Sequence, residues 1–251
     1  MEHRGDPAPP PQPSRALRDS VRRLRVAIGR GANKKPWVRT AVLGVMVATP
    51  MAVFASPAYA ATGVSKNGSQ LTVTAAAGNA NDLFIRSSPN GQFILIRDRG
   101  DSLTPGSGCQ AVGTEVQCSR SGINSVVVNA GDGNDRVAVN GLPSTLNGQG
   151  GNDILSAGFA GAGRNILNGG ANDDRLFGGS GDSLRGGTGN DLLVGSEFTG
   201  FLRSGDGNDD LRGGDGNDEL RGDAGNDRLD GGPGFDDLCI GETEINCEAD
   251  V

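Results

Sequence analysis

The chain has 251 residues and 43 glycines, far above the usual glycine share of ~7%, but only 8 Phe, 1 Trp and 1 Tyr, which excludes a large aromatic core. Its formal net charge of −7 is uneven: residues 1–60 hold 10 Lys/Arg and 3 Asp/Glu, which leaves 13 Lys/Arg and 27 Asp/Glu, or 13 − 27 = −14, for residues 61–251. So acidic a surface argues against nucleic-acid binding, which needs a basic footprint, and it suits cations.

Residues 1–60 have the pattern of a secretory signal peptide. A long Arg-rich stretch ends at Arg39, the apolar run AVLGVMVATPMAVFA follows at 41–55, and the tripeptide AYA at 58–60 supplies small residues for cleavage. A membrane anchor is the alternative, but fifteen residues broken by Pro50 are shorter than the ~20 that a span requires. We therefore expect cleavage after the AYA tripeptide and a secreted, extracellular mature chain without a transmembrane segment.

The segment 61–120 is predicted to form an irregular β-region. The runs SQLTVTAA, NDLFIRS, GQFILIRD and, just beyond this segment, INSVVV are rich in β-branched and aromatic residues and are separated by turn residues. This spacing is typical of short strands. We expect the region to continue into the repeats that follow it and to cover their first coil.

A nine-residue period runs through residues 121–239. Clear copies are GGDGNDELR (213–221), SGDGNDDLR (204–212) and AGDGNDRVA (130–138), while one copy is a residue short and three residues are inserted at 157–159. Position 8 is Val or Leu in all thirteen windows. These residues are Val128, Val137, Leu146, Leu155, Leu167, Leu176, Leu184, Leu193, Leu202, Leu211, Leu220, Leu229 and Leu238.

One apolar residue in nine does not make an amphipathic helix, whose period is 3.6 residues. It does make a three-residue strand whose middle side chain points inward, because strand side chains alternate faces, and the six glycine-rich residues before it form a turn. A disordered glycine-rich tail is the alternative, but it would show no fixed register of Leu or Asp. The same frame fits AGNANDLFI (77–85), with Asp82 at position 6 and Phe84 at position 8.

The consensus of these windows, GGxGxDxUx, resembles the hemolysin-type, or RTX, calcium-binding nonapeptide repeat over about 120 residues. The fold of that family is a parallel β-roll, in which each nonapeptide supplies one turn and one short strand and two nonapeptides complete a coil. Calcium ions lie between turns stacked on the same edge. The resemblance therefore implies an all-β, parallel β-roll (a β-solenoid) and Ca²⁺ as the bound ion.

The residue types suit this chemistry. Glycine at positions 1, 2 and 4 permits positive φ and lets carbonyl groups converge, and Asp at position 6 adds a charged oxygen. Calcium takes six to eight such oxygen ligands. Without the ion the stacked carboxylates repel one another, so binding energy becomes folding energy, and we expect the mature chain to be largely unfolded in the absence of calcium.

Alternate windows share an edge, because two nonapeptides complete a coil. On the first edge, position 6 is Asp135, Asp153, Asp174, Asp191, Asp209 and Asp227. On the second edge it is Val126, Ser144, Asn165, Asp182, Gly200, Asp218 and Asp236. The nine aspartates are the candidate calcium ligands. We expect a ladder of sites along the first edge and one more, Asp218 with Asp236, near the C-terminus; the insertion at 157–159 must bulge outward for this alternation to hold.

Two further columns follow from the same frame. The Asn residues at position 5 are expected to stabilise the turn through their side chains rather than bind metal. Position 9 places Arg185, Arg203 and Arg221 in one outward column. This column is either a solvated face balanced by Glu219 and Asp237 or a site for an anionic cell-surface polymer.

All four cysteines follow the predicted cleavage site, at Cys109, Cys118, Cys239 and Cys247. An even number in an exported protein predicts disulfides. Three pairings are possible, and the pairing of neighbours is favoured because each pair closes a short loop. A zinc site is disfavoured because the only histidine lies in the predicted signal peptide. A disulfide-closed segment 240–251 would then cap the apolar end that a solenoid exposes.

The function expected from these features is that of a secreted calcium-binding structural or interaction module, not an enzyme. The mature chain has no histidine for a His-dependent triad or an HExxH zinc site and contains no GxSxG. A pore-forming toxin is disfavoured because long apolar segments are missing. The short Cys-containing C-terminus is similar to that of exported actinobacterial members of the family. The alternative is a calcium-dependent adhesin or cell-wall-binding protein, and the sequence identifies no partner.

Overall fold

Short strands with inward-facing apolar side chains make up the part of the chain that the computed structural model describes, residues 61–158, 164–196 and 200–247. The predicted signal peptide (1–60) lies outside the described residues, as does part of the insertion at 157–159. Every regular element in these ranges is a β-strand. None of them contains a helix that is long and apolar enough to cross a membrane.

The N-terminal region contributes seven strands. They are β1 (Thr62–Asn67), β2 (Gln70–Thr74), β3 (Asp82–Ser87), β4 (Phe93–Asp98), β5 (Leu103–Pro105), β6 (Cys109–Val112) and β7 (Glu115–Ser119). Strands β1 and β2 pair antiparallel, as do β3 with β4, β4 with β7 and β6 with β7. In β1 to β4 and in β7, buried residues alternate with more exposed ones, so that one face is buried; Leu71 and Val73 of β2 are completely buried.

Fourteen strands follow, and they pair in parallel. They are β8 (Ser125–Asp132), β9 (Arg136–Asn140), β10 (Ser144–Gly150), β11 (Ile154–Ala157), β12 (Ile166–Ala171), β13 (Arg175–Phe177), β14 (Ser183–Thr188), β15 (Leu192–Val194), β16 (Phe201–Asp206), β17 (Asp210–Arg212), β18 (Glu219–Ala224), β19 (Arg228–Asp230), β20 (Leu238–Ile240) and β21 (Thr243–Ile245). Strands alternate between two sheets, ordered β20-β18-β16-β14-β12-β10-β8-β2-β1-β5 and β21-β19-β17-β15-β13-β11-β9-β3-β4-β7-β6. This is the predicted parallel β-solenoid with two strands per coil.

The predicted core column is confirmed for twelve of its thirteen residues. Val128 through Leu229 are each at most 1% exposed. In-register pairs such as Leu193 with Leu211 stack them from coil to coil. The three-residue strands β13, β15, β17 and β19 each bury a single side chain, so the interior between the sheets is narrow there.

The prediction is wrong for the last repeat, where Cys239 rather than Leu238 faces inward and pairs with Leu220. The turn begins in register, because Gly234 still stacks on the Gly216 carbonyl. One extra residue follows it, and Phe235 stands 89% exposed at the tip of this longer turn. A nine-residue period cannot locate this insertion when the two candidate core residues are adjacent and both apolar.

The weak repeat at 77–85 is also displaced by one residue from its predicted frame. Leu83 pairs with Val137 and is buried, whereas Phe84, the predicted core residue, is 39% exposed. Asn81 rather than Asp82 therefore takes the place of position 6. The reason is the same, because two adjacent apolar residues fit the repeat pattern equally well and the pattern cannot distinguish the two registers.

Both disulfides join neighbouring cysteines, as expected. Cys109 and Cys118 lie opposite each other on β6 and β7. Cys239, in the last strand of one sheet, bonds to Cys247, which follows the last strand of the other. The second bond closes the C-terminal end of the solenoid.

Alternate repeats share an edge on both sides of the insertion at 157–159, as expected. Strand β11, just before it, pairs in parallel with both β9 and β13. Asp153 and Asp174 consequently lie in consecutive coils on one edge, although 21 residues separate them.

Candidate metal centre

The position-6 aspartates of the first edge form a continuous hydrogen-bonded ladder. The backbone N–H of each donates to Oδ1 of the aspartate in the next coil. The distances are 2.8 Å for Asp135 to Asp153, 2.8 Å for Asp153 to Asp174, 2.8 Å for Asp174 to Asp191, 2.7 Å for Asp191 to Asp209 and 3.0 Å for Asp209 to Asp227. All six carboxylates are at most 3% exposed. The first edge thus brings together the residues that the sequence assigned to it.

Two residues that the sequence analysis missed extend this ladder at its ends. The backbone N–H of Asn81 donates to Oδ1 of Asp135 at 2.7 Å, and the backbone N–H of Asp227 donates to Oε2 of Glu242 at 3.2 Å. Asn81 could have been found by shifting the weak repeat by one residue. Glu242 carries no repeat signal, because it follows the last nonapeptide.

The second carboxylate oxygen of the ladder aspartates lacks a partner. Oδ2 is buried and has no hydrogen-bond partner within the described ranges in Asp135, Asp153, Asp174, Asp191, Asp209 and Asp227 on the first edge and in Asp218 on the second. A buried, unpaired charged oxygen is costly. The unpaired oxygen recurs at successive coils, which indicates a missing positive charge at each rung of the ladder, that is, beside each ladder aspartate, rather than a local packing fault.

Carbonyl oxygens of the next coil converge on the same places. A Cβ added to Gly148, at position 1, would lie 2.1 Å from Asp153 Oδ2 and 2.5 Å from the Gly169 carbonyl oxygen. At Gly186 the corresponding distances are 2.2 Å to Asp191 Oδ2 and 2.7 Å to the carbonyl oxygen of the next coil. These are close to the 2.3–2.6 Å that calcium keeps from its ligands. A side chain at position 1 would therefore fill the space in which a hard cation would be surrounded by its oxygen ligands.

Glycine has different physical roles at the three repeat positions. At position 1 it is needed because a Cβ would collide with the aspartate, not because φ is positive as the sequence suggested. At positions 2 and 4 φ is positive, for example 124° at Gly187 and 126° at Gly189. A Cβ on Gly187 would also lie 2.0 Å from the carbonyl oxygen of the coil above.

Burial raises the pKa of the ladder carboxyls. It brings the pKa of Asp153 and Asp174 to about 7 and that of Asp191 to about 6, despite the backbone hydrogen bond that each accepts. On the second edge, burial raises the pKa of Asp218 to about 6. Without a cation, burial therefore makes the charged form of these carboxyls more costly in the fold than in the unfolded chain.

The second edge has its C-terminal pair at Asp218 and Asp237. Asp218 Oδ1 accepts from the Gly200 N–H at 2.5 Å, and the Asp218 N–H donates to Asp237 Oδ1 at 2.8 Å. The predicted residue Asp236 is exposed and lies outside the ladder. The extra turn residue after Gly234 shifts the frame by one and brings Asp237 inward instead.

Asp182, also a candidate ligand, stands in a different environment. Its Oδ1 accepts from the Asn165 N–H at 2.7 Å, and its Oδ2 accepts from Asn165 Nδ2 at 3.0 Å and from the Gly179 N–H at 2.5 Å. Asn165 Oδ1 in turn accepts from the Ser144 N–H at 2.9 Å. This part of the second edge meets its hydrogen-bonding needs with an amide side chain where the first edge leaves a carboxylate oxygen unpaired.

Position 5 forms a second ladder that runs in the opposite direction. The Asn208 N–H donates to Asn190 Oδ1 at 2.9 Å, and the Asn226 N–H donates to Asn208 Oδ1 at 2.9 Å. These side chains link stacked turns rather than close their own turn. Asp173 takes the place of Asn in one coil and accepts from the Asn190 N–H at 2.8 Å.

The donor set is mixed rather than a cluster of acids. Within residues 61–158, 164–196 and 200–247, no three His, Cys, Asp or Glu side chains converge as a metal cluster would require. Each rung instead offers carboxylate and backbone carbonyl oxygens. That combination suits calcium, which takes many oxygen ligands, and does not suit zinc, which prefers nitrogen and sulfur.

Four stretches of the chain match the family model of the RTX calcium-binding nonapeptide repeat: residues 129–159, 158–184, 181–197 and 203–238. No curated protein and no solved structure matches the chain. The matched repeats contain every ladder aspartate from Asp135 to Asp237. Calcium is therefore the ion of these repeats, and the chain carries a calcium-binding structural module built as a β-solenoid.

Proposed function

We propose that this chain is an exported, non-catalytic protein whose solenoid orders when it meets extracellular calcium. Inside the cell, where free calcium is scarce, the acidic and glycine-rich repeats remain unfolded, which suits export. Outside, calcium neutralises the buried carboxylates and ties each coil to the next. The folded solenoid then serves as a structural or interaction module.

One observation carries this proposal: the row of buried Oδ2 atoms without hydrogen-bond partners along the first edge of the described solenoid. Asp153, Asp174 and Asp191 each combine such an oxygen with a carbonyl oxygen from the next coil. No hydrogen bond among the described residues compensates these oxygens, and a cation would do so. Its binding free energy is consequently part of the free energy of folding.

A calcium titration of residues 61–251, followed by circular dichroism, tests the proposal. We expect a disordered spectrum over most of the repeats in excess chelator and a β-rich spectrum at roughly 10⁻⁴–10⁻³ M calcium, the range of extracellular modules. Magnesium at the same concentration is the control, since it demands smaller, near-octahedral sites. Identical spectra in chelator and in calcium would contradict the proposal.

Export is tested separately from calcium binding. The predicted signal peptide requires that the protein recovered from culture medium begin at Ala61, the residue after the AYA tripeptide. Intact-mass measurement and N-terminal sequencing of the secreted material check this expectation. A chain that remains inside the cell with its first sixty residues attached would remove the export proposal and leave the calcium chemistry standing.

A second candidate function is calcium-dependent adhesion or cell-wall binding. The observation that favours it is the outward column of Arg185, Arg203 and Arg221, which lie in register on β14, β16 and β18. Asp223 pairs with Arg203 and Arg221 and balances part of their charge. Sedimentation of the protein with purified cell-wall material, in calcium and in chelator, distinguishes this role; R185A is the test variant, because it leaves both Asp223 pairs intact.

A further inference from the structure

The stack of position-1 residues on the second edge continues beyond the last repeat. Gly213 and Gly231 open successive repeats of this edge, and the N–H of Gly213 donates to the Asp230 carbonyl of the next coil at 2.9 Å. The N–H of Gly231 makes the corresponding bond to the Ile245 carbonyl at 3.0 Å. Asn246, which follows Ile245, therefore takes the place of a position-1 residue, although the matched repeats end at residue 238.

The carbonyl oxygen of Asn246 faces the buried Asp237 carboxylate as in a rung built from two repeats. A Cβ added to Gly231 would lie 2.4 Å from the Asn246 carbonyl oxygen and 2.8 Å from Asp237 Oδ2. A Cβ added to Gly213, one coil earlier, would lie 2.5 Å from the Gly231 carbonyl oxygen and 2.6 Å from Asp218 Oδ2. Both places thus bring together a carboxylate oxygen and a backbone oxygen of the next coil, which are ligands of the kind that calcium takes.

The C-terminal disulfide holds Asn246 in this place. Strand β21 (Thr243–Ile245), which leads to Asn246, has all three residues exposed, so the strand is not anchored by burial. It pairs with β19, and Asn246 Nδ2 donates to Asp230 Oδ1 at 2.8 Å. Cys247, the residue after Asn246, is joined covalently to Cys239, which is buried in the core. A cross-link of this kind restricts the open forms of the segment and so favours the closed one.

We propose that Asp237 and Asn246 form a further calcium site at the C-terminal end of the second edge, around Gly231. Its backbone ligand comes from the C-terminal segment rather than from a repeat, and the disulfide between Cys239 and Cys247 keeps that ligand in place. The inference rests on the proposed calcium function. The repeat period conceals the site, because Asn246 follows the last nonapeptide and is not a glycine.

Native mass spectrometry of the full chain, at calcium concentrations that saturate the wild type, counts the ions and tests the site. Gly231→Ala places a methyl group between the two oxygens and should bind one calcium ion fewer than the wild type. Gly195→Ala is the matched control. A Cβ there would lie 2.1 Å from the Gly213 carbonyl oxygen, but position 6 of its repeat is Gly200 instead of Asp, so the ion count should equal that of the wild type. Neither substituted glycine has a positive φ, so alanine suits both backbones.

Two double variants test the part played by the disulfide. Cys239→Ala with Cys247→Ala removes the C-terminal bond and should bind at least one calcium ion fewer than the wild type. Cys109→Ala with Cys118→Ala removes the N-terminal bond instead and should keep the wild-type count. The same measurement serves for both, and circular dichroism in saturating calcium checks that each variant is folded.

The outcomes separate the inference from the proposed function. An unchanged count in Gly231→Ala overturns the site, and so does an equal loss in Gly195→Ala, because crowding of the turns would then explain both. An unchanged count in the Cys239 and Cys247 double variant overturns the role of the disulfide. A wild type that binds no calcium overturns the proposed function itself. If Gly231→Ala does not fold, the two double variants still decide, because a site completed by the C-terminal segment requires a loss in only one of them.

Discussion

The backbone N–H of Asp174 donates a 2.8 Å hydrogen bond to Oδ1 of Asp191, seventeen residues further along the chain and one coil away. The bond leaves Asp191 Oδ2 buried and without a hydrogen-bond partner in the described residues. One oxygen of each ladder carboxylate is thus used by the fold and the other remains for a cation. This division allows a single residue type to serve both the stacking of coils and the binding of calcium.

Asp174→Asn should remove calcium from the interior of the first edge. The amide keeps an oxygen for the Asp153 N–H but replaces the charged Oδ2 by a donor, so we expect at least one bound ion fewer and a higher calcium midpoint. Asn165→Ala, on the second edge, is the control. It removes the three hydrogen bonds that the amide side chain makes and should lower stability at saturating calcium without lowering the ion count. Equal losses of calcium in both variants would contradict the one-sided ladder.

Asp173→Asn should weaken calcium binding although it changes no residue of the aspartate ladder. Burial is the main cause of the raised pKa values of Asp174 and Asp191, and the charge of Asp173 raises both further. The asparagine keeps the acceptor for Asn190, so only the charge is lost. We expect calcium affinity about two- to fivefold lower at low salt, as for other partly screened surface charges. The difference should shrink as salt is raised; an effect independent of salt would indicate a structural role instead.

Protons should compete with calcium near neutral pH. The pKa of Asp153 and Asp174 is raised from 3.8 to about 7 by burial, so the calcium-free fold takes up protons that the unfolded chain releases. The calcium-free fold consequently loses stability as pH rises from about 4 to about 7 and regains it as pH falls. Calcium binding to this fold should do the opposite, strengthening between about pH 5 and 7 and levelling off above. Circular dichroism in excess chelator checks the first sign, because the repeats should be more ordered at the acidic end of this range than at the neutral end; equal disorder at both ends would contradict the raised pKa values of the fold.

The N-terminal region should stay folded when calcium is removed. Leu71, Val73, Ile85, Ile94 and Ile96 are fully buried, and the ladder aspartates begin only at Asp135. Hydrogen exchange in chelator should therefore leave β2, β3 and β4 protected while β14 to β19 exchange rapidly. Uniform exchange over the whole mature chain would show that calcium controls both parts together.

Leu211→Ala and Leu238→Ala should differ sharply in stability. Leu211 is completely buried in the narrow interior, so its truncation should cost about 2–5 kcal/mol of unfolding free energy. Leu238 lies outside the core column, where truncation should cost about 1 kcal/mol or less. Denaturant unfolding at saturating calcium measures both. Equal losses would mean that the last repeat keeps the nine-residue frame after all.

The sequence by itself determined the inward column and the two unequal edges. Position 8 is Val or Leu in every window, and position 6 is Asp in every window of the first edge but in only three of the seven windows of the second. Strand side chains alternate faces and alternate windows share an edge, so a period along the chain translates directly into places in the fold. The pairing of the antiparallel N-terminal strands could not be predicted in this way, because the alternation of apolar and polar residues along a strand does not specify which strand it pairs with.

Only the tertiary structure decided which atoms meet between coils. It selected Asp237 over Asp236 and Asn81 over Asp82, added Glu242 to the end of the ladder, and showed that Asn165 satisfies Asp182 while Ser204 meets the Gly222 carbonyl. Most of these relations join residues about two nonapeptides apart, and that between Asn81 and Asp135 spans the irregular N-terminal strands. A single inserted residue shifts such contacts by one position without changing the composition of the repeat. Which of two adjacent residues makes the contact is therefore decided by the stacking of the coils.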